Sequence, residues 1–287
     1  MPELSWPHKR AGHGRMSLMP SSVRVATFSW NLHEEPEQLT RAAQHLDDLP
    51  SGDPFVACLQ ELPAEGVISK ARRLGSVQPP TYDVVQTERL VPGCAIVHHR
   101  SLELIDAVAD VDWEFVAARF KLGSETTLRV VCIHAESRMK LIDPEARGGA
   151  RALLRNAIAL LAPADHTLLM GDFNSHYAHL DISGYNAFYA LNPHVFPVTG
   201  ESNRTRRAVP HPAWHVVVPD NGGSMGTYRY SNQFLCLDFM VVSESLAADA
   251  TCTILTEIAR ERAFDASARK ILLSDHLPIA GSVTISS

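Results

Sequence analysis

Residues 168–176 read LLMGDFNSH. Leu168, Leu169 and Met170 suit the middle of a buried strand, and they run straight into Gly171, Asp172, Phe173 and Asn174. Gly, Asp and Asn are ordinary turn formers, because they tolerate unusual backbone angles or hydrogen-bond their own main chain. Alone, the stretch therefore has two readings: a plain turn, or a carboxylate and an amide presented at a strand end for chemistry. The rest of the chain decides between them.

Working outward, strand-like runs recur at 23–31, 54–61, 82–87, 94–99, 115–122, 127–135, 166–172, 236–243 and 279–286. Between them, residues 35–49 (EPEQLTRAAQHLDDL) and 143–162 (DPEARGGARALLRNAIALLA) place Leu and Ala at helical spacing beside charged faces. Strands alternating with helices indicate one α/β domain with a large sheet content. Residues 192–232 stand apart as Pro- and Gly-rich, with no sustained period, and read as a long loop, either functional or disordered.

Polar residues of catalytic type sit where these runs end. Asn31 ends TFSWN, Glu61 ends VACLQE, His134 ends VVCIH, Asp172 and Asn174 follow LLM, Asp238 lies in CLDFM, and Asp275 with His276 forms SDH ahead of LPIAGSV. Singly, each has a bland explanation: Asn31 a helix cap, Glu61 a solvated strand end, His134 a hydrogen-bonded core imidazole. Asp238 resists one, since a carboxylate between Leu237 and Phe239 is drawn into the interior and needs a partner there.

Taken in order, the series WN, QE, IH, GDFN, LDF and SDH resembles the endonuclease/exonuclease/phosphatase superfamily of metal-dependent phosphoesterases. That superfamily includes DNase I-like nucleases, inositol polyphosphate 5-phosphatases, neutral sphingomyelinases and deadenylases. The likeness runs from about residue 23 to 286. SDH alone is a weak signal and GDFN a moderate one, but six motifs in order, each at a strand end, leave little room for chance. The resemblance implies a DNase I-like four-layer α/β/β/α sandwich, two packed and mostly antiparallel sheets flanked by helices, with the site where loops gather at one end. It implies a single domain over 23–287; residues 1–22, which mix Pro, Gly, Ser and His with no period of 2 or 3.6, read on their own composition as a flexible tail.

It also implies roles. Glu61 is the principal metal ligand, with Asn31 and Asp275 beside it; Asp172 orients or deprotonates the attacking water, and Asn174 bonds that water or a phosphoryl oxygen. His276 contacts the phosphoryl group with Asp238 fixing its tautomer, and His134 adds a second phosphate contact. The physical chemistry agrees, because an oxygen-rich ligand set suits Mg²⁺, with Mn²⁺ able to substitute, and such an ion neutralises phosphoryl charge. GDFN is then both a turn and a reaction centre.

Composition narrows the partners. The formal charge is −6, and Lys9, Arg10 and Arg15 against Glu3 give the tail +2, leaving −8 for the remainder. A phosphate-bearing substrate must therefore meet a local basic patch or a metal ion. The candidates are Arg138 just after His134, and Arg204, Arg206, Arg207 and Trp214 in the long loop, where arginines beside an aromatic can track a phosphate backbone and stack on a base, the other reading of that cluster being an ordinary solvated loop. No apolar run approaches a membrane span, and five dispersed cysteines without a C-x-x-C pair read as buried thiols of a reducing, cytoplasmic protein. His134 disfavours the apurinic-site endonuclease branch, which usually carries Tyr there. The expectation is a Mg²⁺-dependent phosphodiesterase acting on nucleic acid as a nuclease. Two alternatives stand beside it: a phosphatase or diesterase for a small-molecule or lipid-headgroup phosphate, and a non-catalytic binding module, which six intact motifs argue against.

Overall fold

Ser22–Asn31 forms β1, and both faces of its second half are covered, so that Thr27, Ser29 and Asn31 are buried along with Phe28 and Trp30. On one face Phe28 lies 4.8 Å, ring to ring, from His45 of helix α1 (Pro36–Asp47). On the other, Thr27 donates to the sulfur of Met240 at 3.4 Å, across the gap to a second sheet. The computed structural model describes residues 22–49, 53–63, 82–87, 93–109, 115–123, 126–134, 164–174, 214–220, 226–230 and 233–286. The expected tail, the helix at 143–162 and Arg138, Arg204, Arg206 and Arg207 lie outside these residues.

The remaining strands in chain order are β2 (Phe55–Gln60), β3 (Tyr82–Gln86), β4 (Ala95–His99), β5 (Glu103–Ala109), β6 (Phe115–Leu122), β7 (Thr126–His134), β8 (His166–Asp172) and β9 (Trp214–Val217). They continue with β10 (Tyr228–Tyr230), β11 (Gln233–Leu235), β12 (Asp238–Ser243), β13 (Thr251–Ile254), β14 (Glu257–Ile258), β15 (Glu261–Arg262), β16 (Phe264–Asp265), β17 (Lys270–Ile271) and β18 (Ile279–Ser286), with a single-turn helix α2 (Glu244–Ala247) after β12. Two six-stranded sheets result, in the orders β13-β18-β1-β2-β4-β3 and β5-β6-β7-β8-β12-β9. Each is antiparallel except for one central parallel pair, β1 with β2 and β7 with β8. A parallel pair needs a crossover, and α1 lies on the one between β1 and β2. The architecture is the expected sandwich, with α1 packed outside the first sheet through Leu39, Ala42 and Leu46.

Side chains from the facing sheets fill the interior: Val25, Val56 and Ile96 from one, Phe120, Val130, Leu168, Met170 and Val242 from the other. Polar groups in this layer are paired across it, as where Gln60 donates to Cys132 Sγ at 3.3 Å. All five cysteines are buried and free.

Register carries the motifs to one place. Asn31 pairs with Gln60 where β1 and β2 end, and His134, Asp172 and Asp238 lie side by side across β7, β8 and β12. Because neighbours in register share a face, these three side chains form one inward row. Gly171 makes the row's spacing feasible: its φ is +142°, and a Cβ there would stand 1.9 Å from the carbonyl oxygen of Ile133.

The stretch expected as one long loop holds structure, since Trp214–Val217 pairs with β12 and Tyr228–Tyr230 with β11. No helix among the described residues is long and apolar enough to cross a membrane.

Candidate active site

Asp172, almost fully buried at the end of β8, is where the row converges. Its Oδ1 accepts the backbone N–H of Asn174 at 2.7 Å, a tight turn for which Asn174 adopts φ +47°. Its Oδ2 receives the Asn174 amide at 3.3 Å and, from the opposite sheet, the Asn31 amide at 3.3 Å. His276 Nε2 lies 3.6 Å from the same oxygen and His134 Nε2 3.8 Å. Two imidazoles and two amides thus face one carboxylate.

His276 is fixed from several directions. Its Nδ1 is 2.7 Å from Asp238 Oδ2, the carboxylate–imidazole partnership expected from the sequence. Trp30 Nε1 donates to its carbonyl at 3.1 Å, Ser274 Oγ accepts its backbone N–H at 3.2 Å, and the Tyr228 ring packs 4.8 Å away. Ser274 Oγ also donates to the Asn31 carbonyl at 3.1 Å, so the SDH turn is stitched to the end of β1. Asp238 is positioned by the fully buried Thr227, whose hydroxyl accepts the backbone N–H groups of Leu237 and Asp238, each at 3.0 Å. Asp238 Oδ1 is buried with no hydrogen-bond partner among the described residues, which leaves the charge of His276 as this carboxylate's chief compensation.

Glu61 stands on the other side of Asn31, which donates to Glu61 Oε1 at 2.9 Å from the same amide nitrogen that reaches Asp172. Asn31 Oδ1 accepts the backbone N–H of His33 at 3.0 Å. Asn31 is therefore a bridge between the two carboxylates. His134 Nε2 lies 3.2 Å from Glu61 Oε1, while His33 Nδ1 is 3.5 Å from Glu61 Oε2 and 3.6 Å from Asp275 Oδ2. Glu61 takes φ +48°, which turns its side chain off the end of β2 and toward the site.

These surroundings set protonation. Burial pushes the Glu61 carboxyl up, but hydrogen bonds from His134 and Asn31 and the charges of His134 and His33 outweigh it and bring it down to about 2. Burial acts on Asp172 with less opposition, and Asp238 adds like charge, so despite His276 and His134 it is pushed up to about 6. Burial opposes charge on His276, yet the carboxylates of Asp238 and Asp172 overcome it and raise the imidazole to about 10. At neutral pH the centre thus presents an anionic Glu61, a buried carboxylate poised to take up a proton, and a buried imidazolium.

The eight strand-end residues, Asn31, Glu61, His134, Asp172, Asn174, Asp238, Asp275 and His276, come together at one end of the sandwich. The backbone of Trp214 pairs with Ser243, five residues along β12 from Asp238, roughly 16 Å of strand. Trp30, His33, Thr227, Tyr228 and Ser274 belong to the site without having been read from sequence as participants. His33, two residues beyond Asn31, is the one a spacing argument could have reached.

Ligand atoms of Asp172, Asp238 and His276 fall within 4.8 Å of one another, a grouping able to hold a metal ion. A groove of about 600 Å³ opens beside the centre, lined by His33, Glu35, Arg41, Leu272 and Asp275 among others.

Comparison with known proteins agrees with this geometry. A search of curated protein sequences finds no match. Among solved structures, an endonuclease/exonuclease/phosphatase protein from Bacteroides vulgatus is 18% identical with a TM-score of 0.57, over 92% of this chain and 99% of that one. D. rerio TDP2 in complex with a single-strand DNA product is 15% identical, TM-score 0.55, over 91% and 98%. ANGEL2, a 2′,3′-cyclic phosphatase, is 14% identical, TM-score 0.56, over 92% and 96%. At such identities the likeness is one of fold. The sequence pattern of the Endonuclease/Exonuclease/phosphatase family matches residues 28–276, most of the chain, and the protein belongs to that family.

Proposed function

We propose that the protein is a metal-dependent phosphodiester hydrolase acting on nucleic acid. The observation that carries this reading is the pairing of Asp172, a buried carboxylate near neutrality, with His276, a buried imidazolium 3.6 Å away. One accepts a proton and the other supports negative charge, which are the two demands of water attack on a phosphoryl group.

The residues fit a divalent cation, and the fit favours Glu61 over the buried triad. Glu61 is anionic at any ordinary pH, and Asp275 beside it is partly open to solvent. By contrast, the imidazolium of His276 already balances Asp172 and Asp238, and its Nδ1 is committed to Asp238. Glu61 and Asp275 would hold Mg²⁺, or Mn²⁺ in its place, with Asn31 orienting Glu61. Bound there, the ion neutralises phosphoryl charge as a Lewis acid.

This chain's own residues do the rest. Asp172, its Oδ1 anchored by the Asn174 N–H, takes the proton from a water whose oxygen attacks phosphorus. The P–O bond to the ester oxygen breaks as the new P–O bond forms, and the leaving oxygen takes up a proton from solvent. His276, kept charged by Asp238, and His134 support the negative phosphoryl oxygens, and the Asn174 and Asn31 amides hold Asp172 at the right angle. Family membership supports hydrolysis of a phosphate ester, and nucleic acid is favoured by relatives of the same fold: TDP2 with its single-strand DNA product and the endonuclease domain of TRAS1. Arg138, Arg204, Arg206, Arg207 and Trp214 remain candidates for contacts to a polynucleotide. One domain over 23–287 and a reducing, cytoplasmic setting complete the reading, the latter suited to five buried free thiols.

The test is degradation of plasmid, single-stranded DNA, RNA and a panel of small phosphate esters with Mg²⁺, with Mn²⁺ and with chelator. Metal-dependent cleavage of a polynucleotide supports the proposal. Turnover of small esters alone moves the assignment to a small-molecule phosphatase, as the fold likeness to ANGEL2 would then suggest.

A further inference from the structure

We infer that His33 is an additional ligand of the metal site, a nitrogen donor that turns its preference from Mg²⁺ toward transition ions such as Mn²⁺. The inference rests on the proposal that Glu61 and Asp275 hold the catalytic ion.

His33 Nδ1 stands between those two carboxylates, 3.5 Å from Glu61 Oε2 and 3.6 Å from Asp275 Oδ2. Both separations exceed the ~2.7–2.9 Å of a charge-assisted hydrogen bond. They are close to the ~3–3.5 Å that separates neighbouring donors sharing one ion at ~2.0–2.2 Å. The ring is held there by backbone: His33 N–H bonds Asn31 Oδ1 at 3.0 Å, Leu32 N–H bonds the Gln60 carbonyl at 2.9 Å, and Glu34 N–H bonds the Glu61 carbonyl at 2.8 Å. The turn after β1 is thus fastened to the residue that offers the main carboxylate. The His33 side chain is 57% exposed, so core packing does not account for its placement.

Imidazole nitrogen changes what the site selects. Mg²⁺ takes oxygen ligands and dehydrates reluctantly, whereas first-row transition ions accept nitrogen readily. His134 also reaches Glu61, at 3.2 Å from Oε1, and must be separated from His33 in any test.

The experiment uses the metals alone. Mn²⁺ and Mg²⁺ are titrated calorimetrically into the full chain and into His33→Asn, a residue that tolerates the left-handed backbone of φ +50°; melting of the metal-free proteins controls for folding. Pulsed electron paramagnetic resonance of the Mn²⁺ complex reads nitrogen coupling directly, with His134→Asn as a second variant. The expected result is a ~10-fold loss of Mn²⁺ affinity in His33→Asn with Mg²⁺ affinity within ~2-fold, a range typical of altered metal surroundings. Nitrogen coupling should be present in the parent and in His134→Asn but absent in His33→Asn. Metal that binds without nitrogen coupling, coupling lost only in His134→Asn, or equal losses for both ions would overturn the His33 assignment and leave the catalytic proposal standing. A parent that binds neither ion would overturn both.

Discussion

Replacing Asp238 with Asn removes one charge from the most buried part of the centre and keeps its shape. His276 stands at about 10 against an ordinary 6.5, a preference for the charged form of roughly 5 kcal/mol at ~1.4 kcal/mol per tenfold change in proton affinity. Burial works against that preference, and Asp238, followed by Asp172, overcomes it. Crediting Asp238 with about half, the variant's imidazole should titrate near 8 and folding should lose roughly 2–3 kcal/mol at neutral pH. A group whose folded pKa is raised stabilises fully below its unfolded pKa and ceases to as pH rises through the folded one. The deficit should therefore be complete below about pH 8, shrink above it and vanish near pH 10. Nuclear magnetic resonance titration of the His276 ring gives the first quantity, and denaturant unfolding at several pH values gives the second. A deficit equal at neutral pH and at pH 10 would mean that Asp238 acts through packing, and a parent His276 titrating near 6.5 would refute the electrostatic argument outright.

Other outcomes follow from the same geometry. Gly171→Ala must part β7 from β8, because its Cβ would lie 1.9 Å from Ile133 O; a loss of more than about 3 kcal/mol in unfolding experiments is expected, and near-parent stability would contradict the register. Glu61→Gln keeps volume but removes the anionic ligand, so the Mg²⁺ concentration for half-maximal rate should rise at least ~10-fold; the metal-free melt should also fall at neutral pH, because the carboxylate that, against burial, His134 and Asn31 hold down to about 2 is lost, and unchanged metal dependence would move the ion elsewhere. The rate should climb as Asp172 ionises, through about 6 or lower once a cation is near, and fall as His276 deprotonates near 10; a pH–rate profile with no acidic limb, or one untouched by Asp172→Asn, would remove Asp172 as the base.

Much of this was legible in sequence, and the reasons are local. HTLLMGD is buried throughout and its Leu-Leu-Met centre reads as an apolar run, whereas IAGSVTIS mixes buried and part-buried positions and is marked by Ile279, Val283 and Ile285, which face the core; both strands keep the bounds that the sequence predicts. Glu103–Ala109 was missed because it is an edge strand with half-exposed Leu104 and Ile105, so its pattern lacks contrast. Thr251–Ile254 alternates exposed and buried, but over four residues. Trp214–Val217 sat within a Pro-rich stretch whose composition spoke for a loop, and pairing with β12 overrode it. In the site, the strand-end acids and histidines announce themselves, whereas Thr227 reaches Asp238 through its hydroxyl's contact with backbone ten and eleven residues away. No local pattern encodes that contact. His33 likewise gains meaning from the distant Glu61 and Asp275.

The account stands or falls on Asp172 as the proton acceptor. Held at about 6 against an ordinary 3.8 by burial, its ionised form costs the folded state roughly 3 kcal/mol at neutral pH, a cost that disappears as pH falls through 6 toward 3.8. Asp172→Asn removes that cost along with the base. Melting temperature and phosphodiester turnover, measured on one preparation at neutral pH with Mg²⁺, decide the matter. The variant should melt no lower than the parent and turn over at least ~10²-fold more slowly. A variant that melts lower yet keeps the parent's rate per folded molecule would contradict it.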